Sequence, residues 1–181
     1  MKGLIIFADK MEDNESLSTL ALLRRAGYVI DSAAFKDDFE VTTSYGIDVV
    51  ADRLLADLNL ANYDYLIIPG GPWAKTQVQS TTIVDQVIQE FAASGKMIAA
   101  ICAAPGFLGK AGLLDGKQFT CFPDTQQWAP QGHYRPELKA VTDQNIITAR
   151  SAGAVMEFVC EIITYLDGEN KAQELLKALL Y

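Results

Sequence analysis

The apolar run Met97–Ile101 leads straight into Cys102, which is followed by Ala103, Ala104 and Pro105. A run this short reads as a buried strand, and the proline falls at the first turn of a following helix, where its missing N–H costs nothing. Small residues at 103 and 104 allow a tight reversal between the two. The pattern predicts a nucleophile elbow, with Cys102 at the apex and the unpaired N–H groups of the next helix aimed at its sulfur. Such donors favour the thiolate, which is the reactive form. The alternative is a packing role, since free cysteine is among the most buried residue types.

Two further features share that chemistry. Pro69-Gly70-Gly71 follows the apolar run Tyr65–Ile68 and forms a turn bare of side chains. Its amides at Gly70 and Gly71, with that of Ala103, are candidate oxyanion donors. Glu15, at the start of the first helix, is the candidate acid; Glu12 and Asp13 compete with it for the simpler task of offsetting the helix dipole. If Glu15 touches the sulfur, two adjacent anions cannot both stay ionised, and the pair shares a proton. The expected form is a protonated Glu15 donating to a Cys102 thiolate. This arrangement predicts a Cys102 pKa well below that of a free thiol, with Glu15 free to shuttle protons for an aldehyde or ketone oxygen.

The elements that must position these groups alternate along the chain. Strands are expected at Leu4–Ala8, Tyr28–Phe35, Tyr65–Ile68, Met97–Ile101 and Asn145–Ala149, with shorter ones at Val41–Thr43, Ile47–Val50, Gln118–Phe122 and Ala140–Thr142. Helices are expected at 15–26, at Thr81–Ser94, at Ala152–Leu166 and at Asn170–Leu180. Apolar strands without alternation, separated by helices, mean an α/β fold with a mostly parallel sheet covered on both faces. Sites in such sheets lie at the carboxyl ends of strands, where Cys102, Gly70-Gly71 and the 9–15 loop all fall.

Composition narrows the functional classes. The 181 residues are half apolar and suit one domain spanning 1–181. The formal net charge of −8 argues against nucleic-acid partners, and no polybasic or basic amphipathic stretch suggests a membrane surface. After Met1-Lys2-Gly3 only five apolar residues precede Asp9, too few for a signal-peptide core or a membrane span. Three cysteines without CxxC spacing fit a reducing cytoplasm. A single histidine, His133, forms no metal cluster, and Gly106-Phe107-Leu108-Gly109-Lys110 lacks P-loop spacing. No metal or organic cofactor is therefore expected. Cys121 is a candidate resolving thiol or a packing residue, Cys160 reads as inert core, and Trp73 and Trp128 either wall a pocket or pack.

Taken together, Ala99-Ala100-Ile101-Cys102-Ala103-Ala104-Pro105, Ile67-Ile68-Pro69-Gly70-Gly71, Leu23-Arg24-Arg25-Ala26-Gly27, Glu15 and Ile147-Thr148-Ala149-Arg150-Ser151-Ala152-Gly153 closely resemble the ThiJ/PfpI superfamily. Within it they are most similar to the parkinsonism-associated deglycase (DJ-one) branch and its bacterial relatives. The resemblance implies a flavodoxin-like three-layer sandwich, class I glutamine amidotransferase-like, usually assembled as a homodimer. It also implies a nucleophilic, easily oxidised cysteine bonded to a protonated glutamate, here Cys102 and Glu15, with Gly71 and Ala103 as backbone donors. Activities attributed to relatives are cofactor-free glyoxalase, deglycation and redox-responsive chaperoning.

Three positions depart from the pattern. Ala103 stands where the peptidase branch has histidine, so peptidase activity is disfavoured. Phe122 stands where some glyoxalases have histidine, and an arginine that binds anions in some relatives is replaced around Tyr45, although Arg25 is kept. Phe122, Cys121 and Arg25 are accordingly candidate pocket or anion contacts.

The resulting expectation is a cytoplasmic, cysteine-dependent glyoxalase or deglycase acting on small α-oxoaldehydes or their adducts. The alternative is a redox sensor or holdase chaperone that works through oxidation of Cys102. A homodimer is expected because Leu17, Leu20, Leu22 and Leu23 surround the first helix more fully than one core-facing stripe requires.

Overall fold

A computed structural model describes residues 1–80 and 82–181. Its seven-stranded sheet is built from β1 (Lys2–Phe7), β2 (Val29–Ala34), β5 (Arg53–Leu54), β6 (Tyr65–Ile68), β7 (Met97–Ile101), β10 (Ala140–Asp143) and β11 (Ile146–Ala149). The strand order is β10-β11-β7-β6-β1-β2-β5, parallel throughout except for the antiparallel β10–β11 pair. Leu4–Ile6, Leu66–Ile68 and Ile98–Ile101 have no exposed surface, which is why these strands read as continuous apolar runs. A hairpin of β3 (Glu40–Thr42) and β4 (Asp48–Val50) and a small ribbon of β8 (Gln118–Phe119) and β9 (His133–Tyr134) lie outside the main sheet.

The helices are α1 (Thr19–Arg25), α2 (Pro72–Gln77), α3 (Ile83–Ala93), α4 (Pro105–Lys110), α5 (Val155–Asp167) and α6 (Glu169–Leu179). From β1 the chain crosses through α1 to β2 on one side, then returns to β6 on the other and continues through α3 to β7. Right-handed crossovers in opposite directions place α1 and α3 on opposite faces. Helix α1 packs with α5, which packs with α6, while α3 covers β6 and β7. This is the mostly parallel, helix-flanked sheet of a flavodoxin-like α/β fold.

Several boundaries differ from the sequence reading for local reasons. The helix expected from residue 15 begins as a π-helical turn, Asn14–Ser18, before α1. Helix α3 starts at Ile83 because Thr82 accepts from the Val84 N–H while its own N–H donates to Asp85, a capping box; Thr81 lies outside the described residues. A single 3-10 turn, Ala152–Ala154, precedes α5. Helix α2 and strands β5 and β9, each short, went unread. For α2 the signal was Pro72 directly after Gly71, the residue pair that opens it.

Candidate active site

Where strand order reverses, between β1 and β6, the loops leaving adjacent strands diverge and open a crevice at their carboxyl ends. Glu15 follows β1, Gly70-Gly71 follow β6, and Cys102 follows the next strand, β7. Register ties the last two together, since Ile68 pairs with Ala100.

Cys102 has φ +66, a left-handed conformation that a non-glycine side chain adopts at a cost of order 1–3 kcal/mol. The surroundings hold it there. Its N–H donates to the Ala149 carbonyl at 2.8 Å, and its own carbonyl accepts from the Phe122 N–H at 2.7 Å. The Ala104 N–H closes the turn onto Ile101 at 3.0 Å, and Pro105 opens α4. The backbone N–H groups of Gly71 and Ala103 face the sulfur.

Glu15 is 1% exposed and Cys102 7%. One Glu15 oxygen, Oε2, accepts the Gly70 N–H at 3.0 Å; the other, Oε1, is buried without a regular hydrogen bond. The carboxyl lies within reach of the Cys102 thiol and the Ala152 N–H. Gly70 makes this closeness possible. A Cβ at that position would fall 2.6 Å from the Cys102 Cβ, 2.6 Å from Glu15 Oε2 and 2.8 Å from the Ile101 carbonyl. Gly70 therefore donates to the acid, and only Gly71 and Ala103 point at the sulfur, a narrower donor set than the three amides expected.

Burial pushes the Glu15 carboxyl up to about 7, reinforced by the charge of Glu12 and opposed by the Cys102 thiol and the Gly70 and Ala152 amides. Burial also pushes the Cys102 thiol up, and the Glu15 carboxylate adds to this, while the Gly71 and Ala103 amides pull it down. The expectation that Cys102 by itself titrates well below a free thiol is thus corrected: two amides do not outweigh burial beside a carboxylate. The groups titrate as a pair that gives up a first proton near 7 and holds the second far more tightly. Of the two one-proton forms, the one with the proton on Glu15 carries the thiolate and gives Oε1 a hydrogen to donate.

The other candidates separate. Phe122 sits beside the elbow through its backbone bond, with Cys121 next to it. Cys121 is 1% exposed, and burial alone pushes its thiol up to about 12. Arg25 donates to the Ala178 carbonyl at 3.1 Å and lines a cleft with Lys171 and Glu174, so within one chain it is held at α6 rather than at the elbow. Trp73 is buried, donates to the Gly70 carbonyl at 2.8 Å and packs between Phe35 and Phe107, whereas Trp128 lines a cavity with Ala103. His133 lies in the β8–β9 ribbon and Cys160 on α5. Among the described residues, no three side chains of the metal-binding types cluster, and no helix is long and apolar enough to cross a membrane.

One residue that positions the site was read only as a competitor. Glu12 Oε2 accepts the Glu15 N–H at 2.7 Å, and the Glu12 N–H donates to Gly70 at 3.0 Å. Glu12 thereby clamps the π-turn carrying Glu15 to the glycine loop. The Glu-x-x-Glu spacing was its visible signal.

The family model described as DJ-1/PfpI matches residues 1–165. The chain is 32% identical to Drosophila melanogaster protein dj-1beta over 98% of its own length and 96% of the relative's. The crystal structure of Drosophila DJ-1beta superposes with a TM-score of 0.91, covering 99% of this chain and 97% of that one at 31% identity. A Caenorhabditis elegans protein named glutathione-independent glyoxalase is 28% identical, with 93% of this chain and 89% of the relative covered. A Pyrococcus abyssi protein named deglycase is likewise 28% identical, with 92% and 99% covered.

Proposed function

Since the chain belongs to the DJ-1/PfpI family, we propose that it is a cysteine-dependent glyoxalase or deglycase-type enzyme acting on small α-oxoaldehydes or their adducts. Relatives named for both activities support the class. The observation that carries the reading is the buried Glu15 carboxyl, with one oxygen bonded to Gly70 and the other free, beside a cysteine held at a strained apex.

The chemistry follows from that pair. The Cys102 thiolate attacks the aldehyde carbon, forming a C–S bond, while the carbonyl oxygen takes the proton held by Glu15. Before that transfer, the developing oxyanion lies against the Gly71 and Ala103 amides. The Glu15 carboxylate then removes the hydrogen from the former aldehyde carbon and returns it to the neighbouring carbon, while the hydroxyl proton passes from the first oxygen to the second. The resulting thioester is hydrolysed by water, releasing the hydroxy acid and restoring the thiolate. Each step uses only the thiol, the carboxyl, backbone amides and water.

The same contacts support a second reading, a redox sensor or holdase. The Gly71 and Ala103 amides and a protonated Glu15 are suited to hold the oxygens of a Cys102 sulfinate. Methylglyoxal turnover by wild type, Cys102→Ser and Cys102→Ala separates the two. Turnover lost in both variants supports the enzyme; wild-type turnover no higher than theirs removes it and leaves the sensor.

We further propose a cytoplasmic homodimer. All three cysteines are free, which fits a reducing compartment. On the first helix Leu20 and Leu23 are buried in the core, which leaves half-buried Leu17 and Leu22 as the apolar surplus. Leu22 lines an open groove of about 530 Å³ with Ala21, Val155 and Met156. This groove suits a second copy related by a two-fold axis.

A further inference from the structure

A cavity of about 230 Å³ opens beside the elbow, with Ala103 at one side and Lys75, Asp124, Thr125 and Trp128 around the rest. At roughly 30 Å³ per water it has room for about seven waters. A three-carbon oxoaldehyde, with five heavy atoms, fills only part of it. Whatever extends beyond the reacting carbon therefore meets the far wall, where the charges sit.

Lys75 projects from α2 and holds its ammonium 4.2 Å from the centroid of the Phe122 ring. Phe122 is itself bonded through its backbone to Cys102. Among the described residues, Lys75 and Asp124 form no ion pair with each other or with any other group. Lys75 is exposed, and its cation rests against the aromatic face beside the elbow, with its charge not neutralised by a carboxylate. Asp124, set in a left-handed conformation at φ +72, carries the opposing charge on the same cavity wall. The chain as a whole has a net charge of −8, which repels anions, and a local cation offsets that repulsion.

We propose that Lys75 is the anion contact of the substrate pocket, and that the favoured substrates are α-oxoaldehydes bearing a carboxylate on the side away from the aldehyde. The inference rests on Cys102 being the nucleophile toward small carbonyl compounds. Lys75 lies on a different element from Arg25, one of the candidate pocket or anion contacts read from the sequence. The added carboxylate takes no part in bond-making: R–CO–CHO and water still give the hydroxy acid R–CH(OH)–COOH. Its role is to seat against Lys75, on the wall that also carries Asp124, which leaves the aldehyde end toward the Ala103 side of the cavity.

The test is alkylation of Cys102 by iodoacetate and by iodoacetamide, followed by peptide mass spectrometry. Both reagents form the same S–C bond and expel iodide, so the ratio of their rates cancels any change in thiolate fraction and reports the field acting on the carboxylate. Lys75→Ala is expected to lower the iodoacetate-to-iodoacetamide ratio about three- to tenfold, the effect of one charge several ångströms away in a partly hydrated cavity. Lys75→Arg should retain most of the ratio, Asp124→Asn should raise it, and added salt should shrink these differences. The preference for 4,5-dioxopentanoate over methylglyoxal, as a ratio of kcat/KM, should follow the same order. An iodoacetate ratio that is unchanged or raised in Lys75→Ala overturns the assignment. Alkylation requires no turnover, so the two readings fail separately. Methylglyoxal turnover with an unchanged ratio refutes the Lys75 contact alone. A lowered ratio without turnover of either oxoaldehyde retains Lys75 as an anion contact and refutes the glyoxalase reading.

Discussion

Replacing Glu15 with glutamine should make the protein more stable at alkaline pH while removing the proposed proton shuttle. In the folded chain burial raises the carboxyl from 4.5 to about 7, so the folded state holds a proton that the unfolded chain has already released. The stabilisation from this group is complete below pH 4.5, declines as pH rises through the interval to about 7, and is gone above it. At 1.36 kcal/mol per pH unit, the loss across that window is on the order of 3 kcal/mol. Glutamine has no such proton to lose, and its amide oxygen can still accept from Gly70. Urea unfolding from pH 4.5 to 8.5 should therefore show the wild-type midpoint falling between pH 4.5 and 7, with Glu15→Gln much flatter over the same range. Near pH 8 the variant should gain up to ~3 kcal/mol, or roughly 6–12 °C in melting temperature for a chain of this size. Methylglyoxal turnover should drop about 10²–10⁴-fold, the usual worth of a positioned acid–base group. Parallel pH profiles for wild type and variant would refute the raised carboxyl pKa, and with it the shared proton.

The Gly70→Ala variant places a Cβ 2.6 Å from both the Cys102 Cβ and Glu15 Oε2, so it should cost about 1–3 kcal/mol by denaturant unfolding and separate the pair, cutting Cys102 alkylation and turnover together. Mild peroxide followed by peptide mass spectrometry should find sulfinate on Cys102 before Cys121, which is more deeply buried, or Cys160; a Cys102–Cys121 disulfide as the main product would instead make Cys121 a resolving thiol. Sedimentation at micromolar concentration should give a species of twice the 19.8 kDa chain mass, and a clean monomer would reject the docking of α1 against a second copy.

Much of the site was readable because its parts are local. The elbow needs only a short apolar run, small residues after the cysteine, and a proline where a helix can begin. Glu15 was marked by its place just beyond the first strand, and Gly70 by a glycine pair ending the third core strand. Boundaries slipped where the deciding contact comes from elsewhere. The π-turn at Asn14–Ser18 interrupts an otherwise sound helical pattern and is tied to the glycine loop through the Glu12 backbone. Phe122 was identified by its departure from relatives, yet its partner Lys75 carried no signal, because the six-residue helix that presents it is too short to show a period.

The sequence by itself determined the α/β class, the elbow and the candidate nucleophile and acid, because strand runs, helix starts and tight turns follow from the sterics and hydropathy of neighbouring residues. Tertiary structure alone decided what those residues become. Strand order, set by the direction and handedness of the crossovers, brings β1, β6 and β7 side by side and so joins Glu15, Gly70 and Cys102 across 87 residues of chain, from 15 to 102. Burial at that junction, not residue type, raises both the acid and the thiol. The same packing holds Arg25 at α6 and brings Lys75 over Phe122, since charge location depends on which helices meet and not on spacing along the chain.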